Sequence, residues 1–114
     1  PTLRHLSLPP SSDPLTAVTL ANCGRLKVLD MRHGLIADEH VKVLTKAPSL
    51  TGLIHLRLDH NLITGESINY LKEMPSLEWV GLSENKIGDI GSIQLASWPI
   101  LMNYYNLQLV HCSI

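Results

Sequence analysis

The stretch Leu77–Ile87, L-E-W-V-G-L-S-E-N-K-I, constrains this chain more than any other. Apolar residues fill its first, fourth, sixth and eleventh places, and Asn85 holds the ninth. Apolar residues two apart mark a short strand with one buried face, because successive side chains on a strand point to opposite sides. An asparagine just beyond them marks a turn, since its amide satisfies free backbone groups. The spacing recurs. Leu3-x-x-Leu6-x-Leu8 is a first, degenerate copy, and Leu26-x-x-Leu29-x-Met31-x-x-Gly34-x-Ile36 is a second. Leu53-x-x-Leu56-x-Leu58-x-x-Asn61-x-Ile63 is the third, and Tyr104-x-x-Leu107-x-Leu109-x-x-Cys112-x-Ile114 follows as the fifth. Their fourth places, Leu6, Leu29, Leu56, Val80 and Leu107, succeed one another at 23, 27, 24 and 27 residues. A unit this short cannot bury its apolar face alone and must stack on its neighbours.

The links between strands carry helix signals. Asp13-Pro14, Asp38-Glu39, Thr64-Gly65-Glu66 and Asp89 stand where helices would begin. Asp and Thr cap free N–H groups of a first turn, and proline suits the first helical position. Val41, Leu44 and Ala47, then Ile68, Leu71 and Met74, then Ile90 and Ile93 supply the expected inward faces. Leu15, Val18 and Leu20 do so less regularly in the first link. Pro48, Pro75 and Pro99 end the later three, because proline lacks the N–H and turns its predecessor from helix. Pro75-Ser76-Leu77 runs straight into its strand, whereas Pro48-Ser49-Leu50 and Pro99-Ile100-Leu101 are each followed by three further residues. Two alternating repeat types are expected, one with a longer helix-to-strand link.

These copies resemble the leucine-rich-repeat family, most specifically from the third to the fifth. The resemblance implies an α/β leucine-rich-repeat solenoid: a right-handed β-α superhelix with parallel strands on the concave face and helices on the convex face. Residues 1–114 would form a single domain of about five repeats, a fragment of a longer solenoid. A helix in every link, and Cys112 where other copies have Asn, suggest the ribonuclease-inhibitor-like subclass. Asn85-Lys86-Ile87-Gly88-Asp89-Ile90-Gly91 with Leu95-Ala96 also resembles the GALA-type repeats of some bacterial effectors. Ser11 and Gly34 depart from the turn asparagine, and Pro9-Pro10-Ser11-Ser12-Asp13 cuts the first strand short.

Composition removes several function classes. Nine basic and ten acidic side chains leave a formal net charge of −1, without the basic stripe of a nucleic-acid module. No apolar run approaches the ~20 residues of a transmembrane helix. There is no Phe, so the core must be aliphatic. Cys23 and Cys112 fit no metal-binding spacing and read as buried thiols of an intracellular, cytoplasmic protein. A bacterial effector would instead be secreted into a host cell. No phosphate-binding glycine loop or G-x-S-x-G turn is present, so the chain reads as a non-enzyme without cofactor or metal.

The outward strand places define the candidate site. Third places hold His5, Val28, His55, Trp79 and Asn106; fifth places hold Ser7, Asp30, Arg57, Gly81 and Gln108. Seventh places include Arg32, Asp59 and Ser83, and eighth places His33, His60, Glu84 and His111. Column neighbours would lie about 4.8 Å apart. Asp30 would then face Arg57, and Arg32 would face Asp59. Trp79 is the one large aromatic of this face, and tryptophan beside arginine is typical of protein contact points. Partner-binding residues are therefore expected at Asp30, Arg32, His33, His55, Arg57, Asp59, His60, Trp79, Glu84 and His111. Asn61, Asn85 and Cys112 read as a structural turn ladder, and Trp98 and Tyr104 as core.

The favoured function is a protein–protein interaction module binding through the concave strand face. The alternatives are a structural segment of a large assembly, or the substrate-recognition arm of a ubiquitin ligase or bacterial effector. Nucleic acid and membrane are not expected partners. The leucine rows at both ends would be uncapped, so end-to-end packing is a further possibility.

Overall fold

The computed structural model describes residues 5–7 and 25–103. Five three-residue strands form one sheet in chain order: β1 (His5–Ser7), β2 (Val28–Asp30), β3 (His55–Arg57), β4 (Trp79–Gly81) and β5 (Leu101–Asn103). All neighbouring pairs are parallel. The first four strands take the register that the repeat spacing dictates, with Leu6 against Leu29, Leu29 against Leu56, and Leu56 against Val80. The ladder runs on past the strands. The N–H groups of Met31 and His33 donate to the carbonyls of Arg57 and Asp59 at 2.9 and 3.1 Å. Those of Leu58 and His60 donate to Gly81 and Ser83 at 2.8 Å each.

The fifth rung departs from the expected register. Val80 pairs with Met102, not with Leu107. Ile100-Leu101-Met102 is the first extended apolar run after the last helix, and backbone pairing requires no particular side chain. The free edge of β4 is therefore taken without the detour made in the third copy. There the three extra residues are absorbed after a 3₁₀ turn at Pro48–Leu50, with Leu50 and Leu53 both buried. The expected alternation thus holds between the third and fourth copies and fails at the fifth. The rest of that copy, including Tyr104, Tyr105, His111 and Cys112, lies outside the described residues, as do Cys23 and the first link's helix.

Among the described residues three helices pack on one side of the sheet: α1 (Asp38–Thr45), α2 (Glu66–Leu71) and α3 (Gly88–Ala96). Each ends before its proline, as expected. Val41 and Leu44 of α1, and Ile68 and Leu71 of α2, join the strand leucines in one aliphatic core with Ile36, Ile63 and Leu82. Burying each such side chain is worth about 1.5–3 kcal/mol. Trp98, expected in the core, packs half-buried against it.

Helix α3 turns a different face inward. Ile90 and Ile93 are 75% and 71% exposed, while Gly91 and Leu95 are buried. The cause is Gly65, immediately before α2. A Cβ on Gly91 would lie 2.9 Å from the Gly65 Cα, so the two backbones touch where only glycine fits. That contact fixes the roll of α3, and Leu95, one turn beyond Gly91, is the side chain it carries inward.

The helix starts match expectation at Thr64, whose hydroxyl accepts the N–H of the first residue of α2, and differ at Asp38. No side chain at the cap position of α1, α2 or α3 makes a capping bond. Asp38 reaches instead to the next repeat. Its carboxylate accepts the Thr64 N–H at 2.9 Å and the hydroxyls of Thr64 and Ser67. Thr64 Oγ1 in turn accepts the Glu66 N–H at 3.3 Å. Burial raises the Asp38 carboxyl, but the bonds from Ser67 and Thr64 outweigh it and hold it below the usual carboxylate range. With the folded value below the unfolded one, this clamp stabilises fully above the ordinary carboxylate range and is lost as pH falls through the folded value. Asp38→Asn should therefore cost on the order of 1 kcal/mol at neutral pH and flatten the acid limb of stability against pH. An acid limb identical in slope to the parent's in urea titrations would refute the clamp.

Candidate functional site

Helices cover one face of the sheet, and the other is left to the third- and fifth-place side chains. His55, Arg57 and Trp79 are half-buried there, between the sheet and solvent. His55 and Trp79 are register partners on β3 and β4. Their rings meet with centroids 4.1 Å apart, tilted by 30°. The Arg57 Cζ lies 5.4 Å from the Trp79 ring centroid, within cation–π reach. Burial lowers the His55 pKa, and the charge of Arg57 lowers it further, so the imidazole of this platform is biased to its neutral form.

The charged quartet is assembled, but its pairs run along the rungs rather than across them. Asp30 and Arg57 are register partners, as the spacing requires. Arg32 nevertheless folds back on Asp30, with Nε to Oδ1 at 2.9 Å and Nη2 to Oδ2 at 2.8 Å. Burial raises the Asp30 carboxyl, yet the hydrogen bonds and charge of Arg32 prevail and hold it below the usual range. Arg57 Nε stands 3.7 Å from Asp59 Oδ1, an ion-pair separation without a hydrogen bond. Residues two apart on a strand share a face, and an arginine stem is long enough to return to that neighbour. The Trp79 ring occupies the adjacent rung and draws Arg57 toward itself.

Asp59 is only 4% exposed, and its Oδ2 accepts the Ser83 N–H at 3.2 Å. It depends on Gly81, which the sequence did not single out. A Cβ at Gly81 would stand 2.4 Å from Asp59 Oδ1 and 3.0 Å from the Trp79 ring. The missing side chain is what lets carboxylate and indole share the fifth-place column. A glycine amid larger residues in that column was the available signal.

The eighth-place residues are turn residues, not strand residues as expected. His33, His60 and Glu84 all have φ of 57°. This left-handed turn ends each strand at its edge. His33 and His60 are exposed, and their rings stack at 4.3 Å with 17° between planes. Among the described residues, no group of three or more His, Cys, Asp or Glu is arranged to hold a metal ion. No helix among them is long and apolar enough to cross a membrane.

The turn ladder forms at Asn61 and at Asn85. Asn61 Oδ1 accepts the N–H groups of Gly34 and Ile36 at 2.9 Å each. Its Nδ2 donates to the carbonyls of Met31, Leu58 and Asp59 at 2.9, 2.9 and 3.2 Å. Asn85 repeats this one rung on, accepting from Asn61 and Ile63 and donating to Leu58, Leu82 and Ser83. Each amide thus ties its own turn to the preceding one and holds the outward columns in register.

No protein-family profile matches the chain. Among solved structures it is similar to the actin-binding site 2 of leiomodin-1, with a TM-score of 0.68 at 14% identity. The likeness covers 89% of this chain and 69% of the leiomodin chain. At that identity the common property is the fold: a leucine-rich-repeat-like arrangement of parallel strands and outer helices.

Proposed function

We propose that this chain is a non-catalytic protein-recognition module, a segment of a leucine-rich-repeat solenoid that captures a partner protein on its concave strand face. The observation that carries this reading is the Trp79 platform. Arg57 and His55 are held against the indole on a face without helix cover. Aromatic and arginine side chains held rigid before binding lose little entropy in a contact. Leiomodin-1 lends support at the level of fold, since the similar segment is named as an actin-binding site. Actin is accordingly the first partner to try.

The test uses a photo-crosslinking residue at position 79 to trap and identify the partner, followed by affinity measurements. Trp79→Ala should weaken the trapped complex by about 2 kcal/mol or more, roughly 30-fold in Kd. Its thermal midpoint should stay near the parent's, because Trp79 lies outside the leucine core.

A second reading is favoured by Ile90 and Ile93. Two isoleucines more than two-thirds exposed on one helix suit a contact made by the helices inside a larger assembly. Under that reading Ile90→Asp with Ile93→Asp abolishes capture and Trp79→Ala leaves it intact.

A further inference from the structure

We infer that Arg57 is the receptor for an Asp or Glu side chain of the partner, presented beside an apolar or aromatic residue that lies on the His55–Trp79 platform. The inference rests on the strand-face reading above and names the chemistry it recognises.

The two arginines of the open face are in different states. The Arg32 guanidinium is engaged by Asp30 through both Nε and Nη2, at 2.8–3.2 Å. The Arg57 side chain donates no hydrogen bond among the described residues. Its Nε is buried without a hydrogen-bond partner, and the nearest carboxylate oxygen stands at 3.7 Å. An arginine that donates no hydrogen bond within the fold gains more from an acceptor brought to its exposed part than one already engaged on both nitrogens. Carboxylate suits a guanidinium best, because its two oxygens match the planar fork.

The surroundings select among carboxylates. A chain-terminal carboxylate is usually held by free backbone N–H groups. Here the N–H groups of His55, Leu58 and Trp79 already donate within the sheet, to Lys27, Gly81 and Ile54. A side-chain carboxylate needs only the fork. The Arg57 side chain is 32% exposed and lies within cation–π reach of Trp79, and the aromatic surface alongside accepts an apolar neighbour of the acidic residue. The asymmetry between Arg32 and Arg57 is the discriminating point: substitution of Arg32 removes a group already satisfied within the fold.

The probe is a pool of short randomised peptides, amidated at the C-terminus and displayed against the whole chain. Selected peptides should carry one Asp or Glu adjacent to an aromatic or large apolar residue. The selected peptide and its Glu→Gln or Asp→Asn counterpart are then compared by fluorescence polarisation. Against the parent chain the neutral peptide should bind about tenfold or more weakly. Against Arg57→Gln the acidic and neutral peptides should bind alike. Arg57→Lys, which keeps the charge but loses the fork, should recover only part of the difference, and Arg32→Gln should preserve it. A selection dominated by neutral peptides that compete at Trp79 would overturn the carboxylate receptor and leave strand-face recognition standing. Peptides insensitive to Trp79→Ala, or a pool from which nothing is enriched, would overturn both. Urea midpoints of the Arg57 variants within the parent's error establish that a lost difference is not lost folding.

Discussion

Asn61→Ala should lower stability by about 3–5 kcal/mol, a large part of the ~5–15 kcal/mol that holds a domain together. The side chain is 7% exposed and makes five hydrogen bonds, all to backbone groups of two successive turns. Alanine leaves those N–H and carbonyl groups without partners, and an unsatisfied buried group costs about 1–3 kcal/mol. Relaxation and water entry recover part of the sum. Asn61→Asp retains the accepting oxygens but loses the donors and buries a charge, so it should be no milder. Leu62→Ala is the control: it is the next residue along, 53% exposed, and should change stability by less than about 0.5 kcal/mol. Urea denaturation at neutral pH measures all three. An Asn61→Ala midpoint shift no larger than the control's would mean that the turns are held by something other than the amide ladder.

Gly91→Val should destabilise by about 3 kcal/mol, against the helix propensity that favours any side chain over glycine by up to ~1 kcal/mol. The obstruction decides the sign. A Cβ at this position stands 2.4 Å from Ile87 Cγ2, which can rotate, and 2.9 Å from the Gly65 Cα, which cannot. Helix α3 would have to lift from α2, loosening Leu95 in the core. Gly91→Ala should show a smaller cost of the same sign. Gly65→Ala meets the same gap from the other side, with Gly91 Cα and the Ile87 carbonyl oxygen each at 3.0 Å. The double alanine variant should therefore cost less than the two singles added, because the first methyl opens the space the second needs. Thermal unfolding of the four proteins in the cycle gives the coupling directly. A stabilised Gly91→Ala would show that the helices separate freely and that α3 is not rolled by this contact.

The site was legible where a role repeats at fixed spacing. Asn61 and Asn85 were identifiable because turns of the same kind recur, and each needs the same amide. The His55–Trp79 and His33–His60 neighbours followed from register alone, since parallel strands in chain order place equal positions side by side. Asp30 faces Arg57 in register as expected, but the ion-pair contacts form along each rung, Arg32 with Asp30 and Arg57 with Asp59. Register sets which Cα atoms are neighbours, but an arginine has length enough to choose between its own rung and the next. The fifth rung was misplaced because the sequence offers two apolar runs, around Met102 and around Leu107, to one free edge, and the first of them takes it.

By itself, then, the sequence determined the strand-turn-helix unit, the stacking order of its first four copies and the aliphatic rows between them. Those depend on local periodicity, and every copy repeats the same local choice. Tertiary structure alone decided which face of α3 turned inward, where Asp38 found its hydrogen bonds, and which arginine of the open face closed its fork on an aspartate. Each is settled by a group from the neighbouring repeat: Gly65 against Gly91, Thr64 and Ser67 against Asp38, Trp79 beneath Arg57. Periodicity carries no record of such contacts, because they turn on the sizes and hydrogen-bonding atoms of particular side chains across one strand spacing.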